Sequence, residues 1–359
     1  MQDGGAELCA LEIARLFPSA TMYTSFFDGG AFGDRLDPSR VHVWPLQRPL
    51  GGRRFRSLLP IYPLYFSTLD LRRARLVVSS SVAFAKAVRT SPQALHISYI
   101  HTPMRYAWGL DDYLRGSSYP FAARIAARVL RPCLAAWDRV TARRPDVLIA
   151  NSQTVRNRIR RYWRRDAEVI HPPVNVDEFE LSTRDDGFLL VASRLLAYRR
   201  LDLAVGAARS LSRQLVIVGY GPERSRLEAI GGPTVRFTGH LPRAELLDLF
   251  ARCHAYLLPG EEDFGISPVE AMAAGKPVVA FGRGGATETV VDGVTGVLFK
   301  SQSARGVADA VERLDSLSLD GKVIREHARR FDRRVFLASW RALLERHGVD
   351  RDLYTSAVD

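Results

Sequence analysis

Short apolar runs rich in β-branched residues alternate along the chain with stretches of helical period. RLVVSSS (75–81), LHISYIH (95–101) and DVLIANS (146–152) set the pattern in the first half. FLLVASR (188–194), QLVIVGYG (214–221), VRFTGH (235–240), HAYLLPG (254–260) and KPVVAF (276–281) repeat it in the second. Most end in Gly, Ser, Asn or His. Such runs predict strands buried on both faces. Between them lie amphipathic segments such as LDLAVGAARSL (201–211) and RAELLDLFARC (243–253). Strands alternating with helices predict parallel sheets covered on both sides. Two such sets predict an α/β protein of two doubly wound domains. The segment HPPVNVDEF (171–179) holds two prolines followed by Asn and Asp, which favour an extended linker. The reading is a first domain over 1–172, a second over 173–332, and a closing segment 333–359. The last helical pattern, RRVFLASWRALLERHG (333–348), has no strand after it and is expected to cross back onto the first domain. The opening MQDGGAELCALEIARLF enters a helix directly from a glycine turn. A doubly wound domain places a strand before that turn, so the expectation is a missing first strand and a true start upstream.

Composition narrows the class. The chain has 359 residues, 47% hydrophobic and 25% charged, which suits a soluble globular protein too long for one ordinary core. Three cysteines, Cys9, Cys133 and Cys253, have no metal or redox spacing and read as buried thiols in a reducing compartment. The longest apolar stretch, SLLPIYPLYFSTL (57–69), is short and broken by two prolines, and no signal peptide is recognisable. The expected location is cytoplasmic. The net charge is +12, yet residues 1–172 hold 26 Lys/Arg against 13 Asp/Glu, so the excess belongs entirely to the first half. Solvated arginines account for this plainly. Attraction to an anionic lipid surface or a polyphosphate is the functional reading. Nucleic acid is disfavoured, because no nucleic-acid motif accompanies the charge.

Candidate chemistry gathers at strand ends, where open α/β sheets bind ligands. Ser193 and Arg194 close one strand, and Arg199 follows in the same loop. Two guanidinium groups there either clamp a diphosphate or are ordinary surface charge. Gly219 and Gly221 end the next strand; without the third glycine of a dinucleotide fingerprint they read first as a strand-to-helix turn. In PGEEDFGISPVEAMAAGKPVVA (259–280), Glu262 follows a strand and Phe264-Gly265 turns the chain into a helix. Ser267 is expected to cap that helix, Pro268 to take its first position, and Glu270 to stand as a capping-box acid or a ligand carboxylate. The backbone N–H groups of the new helix would then face a phosphate. His101, in YIHTPMRYAW, ends a first-half strand, with Gly4 and Gly5 expected near it.

These residues together resemble the family-4 retaining glycosyltransferases with the GT-B fold, two Rossmann-like domains facing a cleft. The acidic pair Glu262 and Glu270 within EDFGISPVEAMAAGKPVVA carries the resemblance most strongly. SRLLAYRRLD, VGYGPE, VRFTGHL, GGATETV (284–290) and DGVTGVLF (292–299) fall in the family's order. HTPMRYAW is similar to a bacterial subgroup that makes O-antigen and exopolysaccharide with mannosyltransferases. The resemblance implies that Glu270 holds the ribose and Glu262 the hydroxyls of the transferred sugar. It implies Arg194 and Arg199 on the diphosphate, with backbone donors at Gly265, Ile266 and Ser267. His101 would contact the sugar near the reacting carbon, and Gly5 would line the junction of donor and acceptor. Arg199 stands where the family usually has lysine.

The implied donor is a nucleotide sugar, with GDP-mannose leading through the subgroup and UDP- and dTDP-sugars open. The implied acceptor is a saccharide or a lipid-diphosphate-linked sugar, met at the inner membrane face by a basic patch of Arg53, Arg54 and Arg56 beside the 57–69 stretch. No cofactor and no metal are implied, and no convincing Asp-x-Asp site is found. A non-catalytic nucleotide-sugar binder and a GT-B epimerase stay open as alternatives.

Overall fold

The structure is a computed structural model that describes residues 4–29, 36–45, 62–111 and 121–354. Its first half contains β1 (Met22–Thr24), β2 (Val41–Val43), β3 (Asp70–Leu71), β4 (Leu76–Ser81), β5 (Arg89–Thr90), β6 (Leu95–Ile100), β7 (Val147–Ala150) and β8 (Glu168–Val169). β4, β6, β7 and β8 form one parallel sheet in the order β4-β6-β7-β8, while β1–β2 and β3–β5 are separate parallel pairs. Among the described residues no strand joins β1–β2 to the larger sheet.

The second half contains β9 (Leu189–Ala192), β10 (Leu215–Val218), β11 (Val235–Gly239), β12 (Ala255–Leu258), β13 (Val278–Phe281) and β14 (Gly296–Phe299). They form one six-stranded parallel sheet in the order β11-β10-β9-β12-β13-β14. β10, β12 and β13 are buried at every position, as their unbroken apolar runs require. Cores lie on both faces of this sheet: Leu190, Val216, Tyr256 and Val278 point to one, Leu189, Ile217, Leu257 and Val279 to the other. This is the doubly wound arrangement. Chain order reverses between β9 and β12, which makes the loops after those two strands the natural ligand site.

The helix Arg333–Arg346 follows the second half in sequence but packs on the first. Phe336, Leu337, Trp340, Leu343 and Leu344 share a core with Cys9, Ile13 and Leu16 of the helix Gly5–Leu16 and with Ile97, Tyr99 and Ile149 of the first sheet. Entry to and exit from the second half run side by side. The Val174 N–H donates to the Phe331 carbonyl (2.9 Å) and the Arg333 N–H to the Val174 carbonyl (2.9 Å). Asp332 caps the last helix by accepting from the Arg334 N–H at 2.8 Å.

Two expectations need correction here. Cys9 and Cys253 are buried free thiols, but Cys133 is exposed, because it lies on the outer side of the helix Phe121–Thr141. Arg53, Arg54, Arg56 and positions 57–61 lie outside the described residues. The rest of that apolar stretch forms a short helix, Tyr62–Thr68, which buries Tyr62 and Tyr65 and exposes Leu64. No helix of the described residues is long and apolar enough to cross a membrane.

Candidate functional site

The loops after β9 and β12 meet across the switch point. Arg199 ends a single 3-10 turn, Ala197–Arg199, after β9. Glu262 lies in the loop after β12, is 6% exposed, and is held by an isolated bridge to Gly284. The Arg199 guanidinium pairs directly with the Glu262 carboxylate. The loops touch along their backbones, since a Cβ on Gly260 would lie 2.7 Å from the Arg199 carbonyl oxygen. Arg194 is exposed in the same β9 loop. Arg199, Arg105 and Arg194 all act electrostatically on the Tyr198 phenol. Burial pushes its pKa up, and the three guanidinium groups outweigh that, leaving it below its usual value. Arg105 stacks on the Tyr198 ring at 4.7 Å and Arg199 at 5.5 Å. A concentration of guanidinium groups at a switch point suits a diphosphate.

The glycine at 265 sets the next element. Its φ of +92° turns the chain into the helix Ile266–Ala273, and Gly265 is itself the N-cap. Ser267 is therefore the second helical residue and not the cap, and Pro268 is the third. No side chain caps this helix, so its first N–H groups are free of a side-chain partner at the cleft. Glu270 does not close a capping box either. It accepts from Arg243 Nη1 at 2.9 Å, and Arg243 also grips Glu178 with two bonds of 2.8 Å. The carboxylate is thus oriented by a strap, Arg243, that is anchored on Glu178 of the domain linker.

Gly219, at φ +129°, is accounted for by packing: a Cβ there would lie 2.0 Å from the Ser193 carbonyl oxygen. The β10 loop closes on the β9 loop at that point. Ser193 donates its hydroxyl to the Arg194 carbonyl at 3.1 Å.

The first half faces this site directly. Gly5 opens the helix Gly5–Leu16, and a Cβ there would stand 2.7 Å from Ile266 Cδ1. The N-termini of the two helices therefore meet. His101 follows β6, is 7% exposed, and shares a 2.9 Å hydrogen bond with Ser80 Oγ. Burial lowers its pKa to about 4, against an upward pull from Asp263, so the imidazole is neutral at pH 7.

Several residues at the cleft were not singled out by sequence reasoning. Asp263 binds Arg105 at 2.5 Å and also pairs with Arg158, while Arg158 reaches Glu261 at 2.9 Å. Burial pushes the Asp263 carboxyl up, but the two arginines prevail and hold it below its usual range. The Ser152 hydroxyl donates to the Asp263 carbonyl at 2.6 Å. Glu288 accepts from the N–H groups of Gln153 (2.7 Å) and Thr154 (2.8 Å), so a second-half carboxylate caps a first-half helix, Gln153–Trp163. Arg105 sits inside HTPMRYAW and Asp263 inside EEDF, so both motifs were visible. Their pairing joins positions 158 apart and was not.

Two family models match the chain: Glycosyltransferase Family 4 over residues 3–178 and Glycosyl transferases group 1 over residues 175–333. Relatives include the D-inositol 3-phosphate glycosyltransferase of Kribbella flavida, 31% identical over 202 residues, covering 46% of this chain and 47% of that protein. Another is the enzyme of the same name from Mycobacterium leprae, 32% identical over 174 residues, covering 42% and 41%. The matched region thus spans under half the length of these relatives. Among solved structures, Anabaena HepE in complex with UDP and glucose superposes with a TM-score of 0.70 at 20% identity, over 96% of both chains. Sucrose-phosphate synthase from Thermosynechococcus elongatus superposes at 0.67 with 18% identity, over 96% of this chain and 92% of that one. With the two family models meeting at the linker and the GT-B fold shared end to end, the chain belongs to the family-4 GT-B glycosyltransferases.

Proposed function

We propose that this protein is a retaining glycosyltransferase that moves a hexose from a nucleoside diphosphate sugar onto a saccharide acceptor, carried on a lipid diphosphate, in cell-surface polysaccharide synthesis. The observation that carries the reading is the Arg199–Glu262 pair at the switch point, beside the uncapped start of the helix Ile266–Ala273. In this reading Arg194 and Arg199 take the diphosphate and release Glu262 to accept from sugar hydroxyls. Glu270, oriented by Arg243, accepts from the ribose. The backbone donors of Gly265, Ile266 and Ser267 complete the anion site. Gly219 and Ser193 shape the wall behind it.

Transfer breaks the bond between the anomeric carbon and the phosphate oxygen and forms one from the acceptor oxygen on the same face. The acceptor proton goes to the leaving phosphate oxygen, so the configuration is kept. Preorganised cations and helix N–H groups stabilise the charge that develops on the diphosphate. Neutral His101 and Gly5 line the side where the acceptor arrives. The chemistry asks for neither a cofactor nor a metal. GDP-mannose is the first donor to test, on the HTPMRYAW subgroup resemblance. UDP-glucose is the second, because HepE, a protein of this fold, has been crystallised with it.

Thermal shifts with GDP, UDP and dTDP in parallel test the donor site. A nucleotide at a hundred times its dissociation constant adds about 2.7 kcal/mol to the native state. A selective shift with one nucleotide is expected. A cooperatively melting protein that responds to none of them overturns the reading. The anomeric configuration of the product, read by NMR, then tests retention, and undiminished transfer in excess chelator tests metal independence.

A further inference from the structure

The helix Phe121–Thr141 is the longest of the described residues and has little to do with either core. Of its side chains only Asp138 and Thr141 are buried. Phe121 is 75% exposed, Val129 70% and Val140 60%, with Ile125 and Leu130 also exposed. Phe121, Ile125 and Val129 recur every four residues and line one face, and Val140 returns to it after three further turns. Elsewhere among the described residues the exposed large apolar side chains are scattered along the sequence, apart from Val291 and Val294. Scattered exposure is ordinary, whereas a continuous stripe marks a contact surface.

The charges beside the stripe identify its occupant. Arg124, Arg128 and Arg131 run along one margin, and no Asp or Glu precedes Asp138 in the helix. Asp138 offers no counter-charge, being buried against Lys86 (2.6 Å) and the indoles of Trp108 and Trp163 (2.7 Å each). Asp111, outside the helix, stands 3.5 Å from Arg128 and 3.9 Å from Arg131, so among the described residues one carboxylate faces three arginines there. A second copy seated on this face would bring like charges together. An apolar stripe with a cationic margin matches the headgroup boundary of an anionic bilayer.

We infer that the exposed face of the helix Phe121–Thr141 docks the protein on an anionic lipid surface, with Phe121, Ile125 and Val129 entering the acyl boundary and Arg124, Arg128 and Arg131 meeting the phosphates. The inference deepens the proposed lipid-carried acceptor and rests on that reading for its purpose. The helix is tied to the cleft: Arg131 donates to the Ala107 carbonyl at 3.1 Å, and Arg139 lies over the Trp108 ring. Both belong to the turn Arg105–Trp108, whose Arg105 binds Asp263. Docking this helix would therefore fix the orientation of the cleft relative to the membrane.

Flotation with vesicles tests it on the full chain. Vesicles of phosphatidylcholine mixed with phosphatidylglycerol should carry the protein, and phosphatidylcholine alone should carry much less. Added salt should weaken the binding, because exposed charges are screened. The double substitution Phe121→Ser with Val129→Ser removes apolar area and should lower partitioning at least about tenfold. Val335→Ser, an exposed valine on the last helix, should leave it unchanged. The nucleotide-induced thermal shift should be the same in all three proteins, which separates failure of this surface from failure of the donor site. Equal flotation of the wild type and the double variant overturns the inference. So does a wild type that ignores anionic vesicles while sedimentation shows a dimer that the double variant abolishes.

Discussion

The two halves of the molecule supply the cleft in different ways. The second half is one continuous six-stranded sheet with a single reversal of order, and its site groups sit on the loops at that reversal. Arg199 and Glu262 are brought together by the fold itself, with strands buried on both faces behind them. Among its described residues the first half has a four-stranded sheet and two separate strand pairs. It reaches the site with individual side chains and helix ends: His101, Arg105, Arg158 and Gly5. On the proposed reading, the difference is what a donor site and an acceptor site demand. A nucleotide diphosphate is a constant ligand that rewards a rigid cradle. The proposed acceptor side is built instead from separate side chains and helix ends.

The largest effect should come from breaking the seam between the halves. Trp340 is fully buried in the first-half core although its helix follows the second half. Trp340→Ala should cost about 3–5 kcal/mol. Calorimetry should then show the first half melting before the second. A single transition at the wild-type temperature would contradict the placement of that helix.

Glu262→Ala should lower transfer by about a hundredfold with nucleotide binding and fold retained. Wild-type turnover would remove Glu262 from the site.

His101 sharpens the contrast through pH. Its folded pKa, about 4, lies below the ordinary 6.5. The unfolded chain therefore binds more protons between those values, and stability is lost as pH falls from 6.5 toward 4. His96, also buried and also lowered to about 4, contributes in the same sense. Chemical denaturation across this window should show a slope that decreases in His101→Asn by at most about 1.4 kcal/mol per pH unit. An unchanged slope would mean that the imidazole is not buried neutral at the cleft.

The smallest effect concerns orientation alone. Arg243→Ala frees Glu270 without touching the β9 and β12 loops, and nucleotide affinity should fall about tenfold, or about 1.4 kcal/mol. Arg243→Lys should recover part of it by keeping the charge without the fork. No change in titration calorimetry would make the strap irrelevant to the nucleotide.

The central strands were legible because burial on both faces leaves an unbroken apolar run, whereas β4 buries alternate positions and β11 buries none. β4, β6, β7 and β9 to β13 all fall within runs read from the sequence. The pairs Asp70–Leu71, Arg89–Thr90 and Glu168–Val169 are too short and too exposed to leave a periodic signal. β14 lies just after a glycine turn, where four residues do not establish a period. In the site, Arg199, Glu262, Gly265 and Ile266 announced themselves by standing at strand ends and turns. The local rule failed at Ser267, since a glycine at φ +92° lets the helix start two residues earlier than a serine cap would. Asp263 with Arg105 and Arg158, and Glu288 with Gln153 and Thr154, are pairings between halves that follow from how the domains face each other. No local pattern encodes that.

The central claim is that the reversal between β9 and β12 is a nucleotide-sugar site, and titration calorimetry tests it most directly. GDP and UDP should be titrated into the wild type and into Arg194→Ala, whose exposed side chain can be removed without disturbing the core. The account predicts that one nucleotide binds the wild type and binds the variant at least about tenfold more weakly, with melting unchanged. Equal affinity in the two proteins would place the nucleotide elsewhere and contradict the account.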